Sequence, residues 1–308
     1  PTFLGVITYF ADRLGRALTD VPAHVSVVEN DEFTEQNIRT LEDLTRYIPG
    51  ITAVRQVSGA DPFGGQIGIR IRGVEGNRIQ MMIDGARVPE RIVDGSRDYL
   101  DMNFVRQADL VRGPASVLWG ADALGGVLAF ETIGPDDLIG EGEDRGGQIT
   151  AGYSSPTDST NIAAAFAQRF GDIAIMVAQS RTVDHELELT NADPTGGDWG
   201  CTRPVLYGAV DCGHFNPLDR TTDRTLLRLD WDISDSHALS FVVDNMQRQS
   251  EVENTLAYSS TVYRNPRERE ITRTHWGATY EGQFNGFVDE VTATLGWTPG
   301  GYDQTALS

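Results

Sequence analysis

Long alternating segments in the second half of this chain, joined in pairs by very short turns, limit its fold more than any other feature. In Leu227, Leu229, Trp231 and Ile233 one face is wholly apolar, and the interleaved Arg228, Asp230 and Asp232 make the other face wholly charged. A period of two is the mark of a strand whose faces meet different surroundings. The segments Thr160 to Phe170 and Ile173 to Arg181 flank Gly171-Asp172, and Arg224 to Ile233 and His237 to Gln247 flank Ser234 to Ser236. Ile271 to Gly282 and Phe287 to Trp297 flank Asn285-Gly286. Turns this short join antiparallel neighbours. Periodicity alone does not say whether the apolar face meets a second sheet or something else.

The other connections are longer: Ser155 to Ser159, Val183 to Arg220, and Gln249 to Glu270. Short turns at one end and long loops at the other are the pattern of outer-membrane barrels. With a first strand near Gln148 to Tyr153 rising from the periplasm, every short turn falls on the periplasmic side, and Trp199, Trp231, Trp276 and Trp297 are candidate interface anchors. No apolar run approaches the ~20 residues of a membrane helix, which leaves barrel strands open. Net charge is −20, and all 25 basic residues are arginine. No basic stripe is present, which argues against nucleic-acid binding. No signal peptide is visible at Pro1, as expected of a mature or clipped secreted protein.

The first half reads as mixed α and β. Val25 to Val28 is a short strand, and Asn30 or Asp31 can cap a helix. Phe33, Ile38, Leu41, Leu44 and Ile48 keep a helical spacing, with Thr40 and Asp43 placed to cap a second helix that Pro49-Gly50 ends. Ile51 to Val57 is a strand, Ser58 to Gly65 a loop. Ile67, Ile69 and Ile71 share one face of the next strand, with Arg70 and Arg72 on the other. Ile79 to Ile83 runs into an Asp84-Gly85 turn. Asp109 to Arg112 is a strand stopped by Gly113-Pro114, then come a helical turn over Ala115 to Trp119, glycines at 120, 125 and 126, and a strand from Val127 to Phe130. Gly134 to Gly147 is acidic, glycine-rich and without period, as a linker is.

In this order, Ile71-Arg-Gly73, Gly76-Asn-Arg78, Ile83-Asp-Gly85 and Val111-Arg-Gly-Pro-Ala-Ser116 resemble the plug signature of TonB-dependent outer-membrane receptors. Ser96-Arg-Asp-Tyr-Leu-Asp101 is most like the haem and haemoglobin receptor branch. The resemblance covers roughly Val21 to Leu138. It implies an N-terminal segment over 1–20 that includes a TonB-box region near Val6 to Phe10, an α+β plug domain over 21–133, a linker over 134–147, and antiparallel transmembrane β-barrel strands over 148–308. Barrels that hold a plug need about 22 strands, and the sequence offers about seven candidates, so the expectation is an incomplete barrel, an open curved strip beside a globular plug. The chain after Trp297-Thr-Pro-Gly-Gly301 is expected to be a loop.

The resemblance also implies a role: active uptake of an iron chelate, first haem or haem from a carrier protein, with a ferric siderophore as alternative, energised by the TonB complex and seated in outer-membrane lipid. No permanent cofactor is expected. Candidate ligand residues are Phe63, Arg91, Arg97, Tyr99, His185 and His214. Arg72 and Arg112, which end the two best motifs, are expected to pair with barrel glutamates facing the lumen. Family members that bind haem use histidines in outer plug loops, whereas Gln56 to Gln66 and Ala86 to Asn103 contain none. Cys201 and Cys212 bracket an aspartate- and glycine-rich stretch and are read first as a disulfide, then as free thiols, last as a metal site. Nothing assembles a catalytic site: Asp184-His185-Glu186 is too compact for a triad, and Ser116 lacks the flanking glycines of a nucleophile elbow. A reading of another class is a soluble or surface binding protein with an α/β head and a β-sandwich tail.

Overall fold

The computed structural model describes residues 7–8, 16–17, 24–36, 38, 40–46, 48–55, 63, 66–88, 101–116, 120, 123–186, 216–254, 264–284 and 287–306. Arg91, Arg97, Tyr99, Cys201, Cys212 and His214 lie outside them, as does most of the expected helical turn over 115–119.

The N-terminal unit begins with a small antiparallel ladder, β1 (Ile7–Thr8) against β2 (Arg16–Ala17). Strands β3 (His24–Glu29), β4 (Ile51–Arg55), β5 (Gln66–Ile71), β6 (Ile79–Ile83), β7 (Ala86–Arg87), β8 (Val105–Arg112) and β9 (Gly126–Thr132) follow. Five of them form a mixed sheet in the order β3-β8-β9-β6-β7, in which only β6 and β9 run parallel, and β4 and β5 make a separate antiparallel pair. Helices α1 (Asn30–Glu35) and α2 (Leu41–Arg46) cover one face. Their spaced apolar residues Phe33, Ile38, Leu41, Leu44 and Ile48 are all buried, against Ile69, Ile71, Leu110 and Phe130. Thr40 caps α2 in both directions: its Oγ1 accepts from Asp43 N at 3.1 Å, and its own N–H donates to Asp43 Oδ2 at 3.0 Å.

The glycine motif has a steric cause. Gly126 sits at φ +151°, and a Cβ there would lie 2.3 Å from the Val111 carbonyl oxygen. A Cβ on Gly125 would meet Val74 at 2.6 Å. Only hydrogen fits between these strands.

The C-terminal sheet contains β10 (Arg145–Ser154), β11 (Ser159–Phe170), β12 (Ile173–His185), β13 (Leu218–Ser234), β14 (His237–Glu253), β15 (Pro266–Gln283), β16 (Glu290–Trp297) and β17 (Gly300–Ala306). It is antiparallel in sequence order, and β10 lies at the opposite end from β16 and β17. The sheet is open, as expected of the incomplete barrel. Strand β10 already begins at Arg145, inside the stretch read as linker.

One expectation is corrected. The chain after Trp297 is not a loop, because Gly300–Ala306 pairs with β15 in the same register as β16. Thr298-Pro299 interrupts a single line of strand. Pro299 has no N–H to donate, yet its carbonyl accepts from Thr274 N at 3.0 Å, so one bond is lost and the register survives.

The apolar faces of the C-terminal strands point away from the N-terminal unit. Phe166, Val177, Leu227, Val243, Trp276 and Trp297 are direct cross-strand partners in one row. Ile149 is 81% exposed and Leu295 77%. The opposite face carries mostly alanine on β11 and β12 where the N-terminal unit comes close: Ala165, Ala167 and Ala178, with Met176, pack under Ile133, Phe104, Leu138 and Ile139. A sandwich would bury the apolar face under a second sheet. Among the described residues nothing covers it, and a band of this kind is what lipid requires. No helix among the described residues is long and apolar enough to cross a membrane.

Candidate functional site

The inward face of β13, β14 and β15 meets the N-terminal unit, and its chemistry is carried by arginine. Alternation puts Arg220, Arg224 and Arg228 on the inward face of β13, and Arg269, Arg273 and His275 on that of β15. Asp244 of β14 lies between them, fully buried. Arg224 holds it in a two-pronged bond, Nε to Oδ1 at 2.9 Å and Nη2 to Oδ2 at 3.0 Å, and Arg273 Nη2 adds a third at 2.6 Å. Arg224 and Arg273 are each 1% exposed, so this mutual geometry has to offset the desolvation of all three charges, together with the further bonds that Arg224 makes.

These arginines also reach across to backbone oxygens of the N-terminal unit. Arg224 Nη1 donates to the carbonyls of Asp101 (2.9 Å) and Asn103. Arg228 Nη1 donates to Thr132 O at 3.4 Å, and Arg220 Nη2 to Phe63 O. His275 is buried beside the β6–β7 turn, its Nδ1 2.8 Å from Thr298 Oγ1. A Cβ on Gly277 would stand 2.9 Å from its Nε2, so that glycine makes room for the ring.

At the short-turn end the units are joined by two successive aspartates. Residues Pro135–Asp137 form a short 3-10 turn in which Asp137 Oδ2 accepts from Gly134 N at 2.6 Å. Asp137 faces Arg106 of β8 at 3.5 Å, while Asp136 pairs with Arg169 of β11, which also reaches Asp232 of β13 at 3.3 Å. Arg106 pairs in addition with Glu131. Burial pushes the Glu131 carboxyl up from its ordinary value, against the pull of Arg106. A cavity of about 90 Å³ lies between Phe33, Met102 and Phe104 on one side and Gln148, Thr150, Ala163 and Ala165 on the other. That is a few waters' worth of space, well under the roughly 300 Å³ at which ligand pockets begin.

The candidates read from sequence fall in different places. Phe63 is 1% exposed, with the Arg269 guanidinium 3.9 Å over its ring and Leu218 and Val252 packed against it. His185 stands on the outward side of β12, its Nδ1 3.2 Å from Asp158 O and its Nε2 3.4 Å from Asp219. Arg72 is exposed at φ 48°, and Arg112 Nη2 donates to Ser26 Oγ at 2.6 Å. Neither meets a barrel carboxylate among the described residues, because a left-handed turn aims Arg72 at solvent and β3 occupies Arg112. The buried ion pairs run the other way, from arginines on the strands. Sequence reasoning passed over Asp244, Arg224 and Arg273. Their signal was a charge at every second or fourth place on strands whose other face is apolar.

Residues 17–127 match the family model of the TonB-dependent receptor plug domain. The chain carries the plug of a TonB-dependent receptor. Plug and open strand sheet together have the architecture of these outer-membrane receptors. The chain is 30% identical over 225 residues to the hemin receptor of Yersinia pestis, which covers 73% of this chain and 29% of that receptor. It is 31% identical over 158 residues to transferrin-binding protein A of Neisseria meningitidis serogroup B, 47% of this chain and 17% of that protein. It therefore spans less than a third of either relative's length. Among solved structures, the FrpB iron transporter from Neisseria meningitidis superposes with TM-score 0.68 at 17% identity, over 88% of this chain and 40% of that one. The ferripyoverdine receptor of the Pseudomonas aeruginosa outer membrane gives 0.62 at 12% identity, over 98% of this chain and 45% of that one. At such identities the likeness is one of fold.

Proposed function

We propose that this chain belongs to a gated receptor that imports an iron chelate across the outer membrane, with haem, free or from a carrier protein, as the first cargo to test. The similarity to the Yersinia pestis hemin receptor carries this reading, because it runs over 225 residues and so beyond the plug into the strands. Cargo binds at the outer loops and plug apices, and force transduced by the TonB complex rearranges the plug; Arg91, Arg97, Tyr99 and His214 remain candidate contacts from the sequence. The receptor performs no covalent chemistry. A ferric siderophore is the second reading, favoured by fold neighbours that include a ferric preacinetobactin receptor. Absorption titrations of the receptor carrying this chain, with haemin and with ferric siderophores side by side, decide between them. A haemin band that shifts and saturates is the expected result. A response to a siderophore alone overturns the haem reading.

A further inference from the structure

We propose that Phe63 is the catch that holds one end of the plug against the barrel wall, and that its ring must leave its pocket before cargo passes. The inference rests on the reading that the plug moves during import. Phe63 packs on Leu218 and Val252, which are direct partners in the β13–β14 ladder and stand at its last rungs away from the short turns. Glu253 N donates to Pro217 O at 2.9 Å and Glu186 N to Leu218 O at 3.0 Å, so this end of the sheet is tightly bonded. On the ring's face lies the Arg269 guanidinium, which also reaches the Tyr302 ring of β17 at 5.1 Å. The Phe63 carbonyl accepts from Arg220. One plug residue thereby touches β13, β14 and β15, and through Arg269 it is linked to β17.

The holds on the plug at the two ends of the strands differ in kind. At the short-turn end Asp136 and Asp137 lie on the chain that links plug to barrel, so that end stays tethered whatever the plug does. At the other end the hold is an aromatic ring in a close-fitting pocket. Such a ring is either seated or out, since packed interiors switch between discrete arrangements and do not stretch. That is the behaviour of a releasable fastening.

The test uses the receptor carrying this chain, in cells that lack other haem uptake, with 4-azidophenylalanine at position 63. Before illumination haemin uptake is expected to proceed. After illumination, with the cross-link to β13 or β14 documented by peptide mass, uptake is expected to fall about tenfold or more while haemin binding persists, as when a required conformational step is blocked. Undiminished uptake by the fully cross-linked receptor overturns the proposal. Should the azido ring itself stop uptake, Phe63→Ala and Phe63→Leu give a second reading. Alanine is expected to speed hydrogen exchange in β5 about tenfold with β9 unchanged, and leucine to restore it. Equal exchange in the alanine variant and the unaltered receptor also overturns the catch. If the unaltered receptor binds no haemin, the cargo reading fails, and the exchange measurement, which needs no cargo, still decides.

Discussion

In the plug, Leu110 and Phe130 are wholly buried and the exposed residues are mostly polar; in β13 to β15, Leu227 and Trp276 are exposed and Arg224, Asp244 and Arg273 are buried. The same residue types thus occupy opposite sides in two halves of one chain. Each half obeys its own surroundings. The plug hides apolar surface from water, and the strands turn apolar surface toward lipid and keep their charges for the contact with the plug. The difference shows that hydrophobic alternation reports which surroundings differ, and that the partner on each side is set by the rest of the fold.

The largest expected effect probes the buried charges. Asp244→Ala leaves two guanidinium groups without their shared carboxylate, which typically costs about 3–5 kcal/mol. Guanidinium titration of the chain in detergent checks this, and an unchanged midpoint would remove the charged inner wall from the comparison. Next comes Leu229→Arg on the outward face. In lipid vesicles it should destabilise the strands by about 2–4 kcal/mol, as arginine does near a bilayer midplane. A neutral result would break the comparison, because a face turned to water tolerates arginine. Within the plug, Thr40→Ala removes one partner of the capping box and should cost about 1 kcal/mol, read as faster hydrogen exchange confined to α2. The smallest effect is one of pH. A carboxyl whose folded value is raised favours the folded state when protonated, so the contribution of Glu131 is fully present below the ordinary carboxylate value and is lost as pH rises through its raised value. Protection of β9 amides should fall across that window, and Glu131→Gln should flatten the dependence.

Most of the fold was legible because it rests on local rules. Alternation marked β11 to β15, the spacing of Phe33 to Ile48 marked the helices, and Thr40 with Asp43 marked a cap. The Pro299 interruption misled because a missing donor reads as an end, while the continuing register is a property of β15. The buried charges were legible only in part. A lone Asp244 among inward arginines acquires meaning once β13, β14 and β15 are aligned, and that alignment depends on connections whose length says nothing of register. Phe63 was read as a ligand candidate in the loop from Ser58 to Gly65, and only the neighbouring strands reveal that it is enclosed.

The Arg224–Asp244–Arg273 cluster has a consequence for how the strands are assembled. A slip of one residue between β14 and its neighbours would throw every side chain to the wrong face, and lipid would reject it at once. A slip of two residues keeps every apolar side chain outside and every polar one inside, so the bilayer has no means of detecting it. The three charges do. In the native register Asp244 stands opposite Leu226 and His275 and takes Arg224 and Arg273 on the diagonal; after a slip of two, that diagonal place would hold Thr222 or Leu226 on β13 and Ile271 or His275 on β15. The cluster therefore acts as a proofreading mark for two-residue slips, an error that the membrane cannot see.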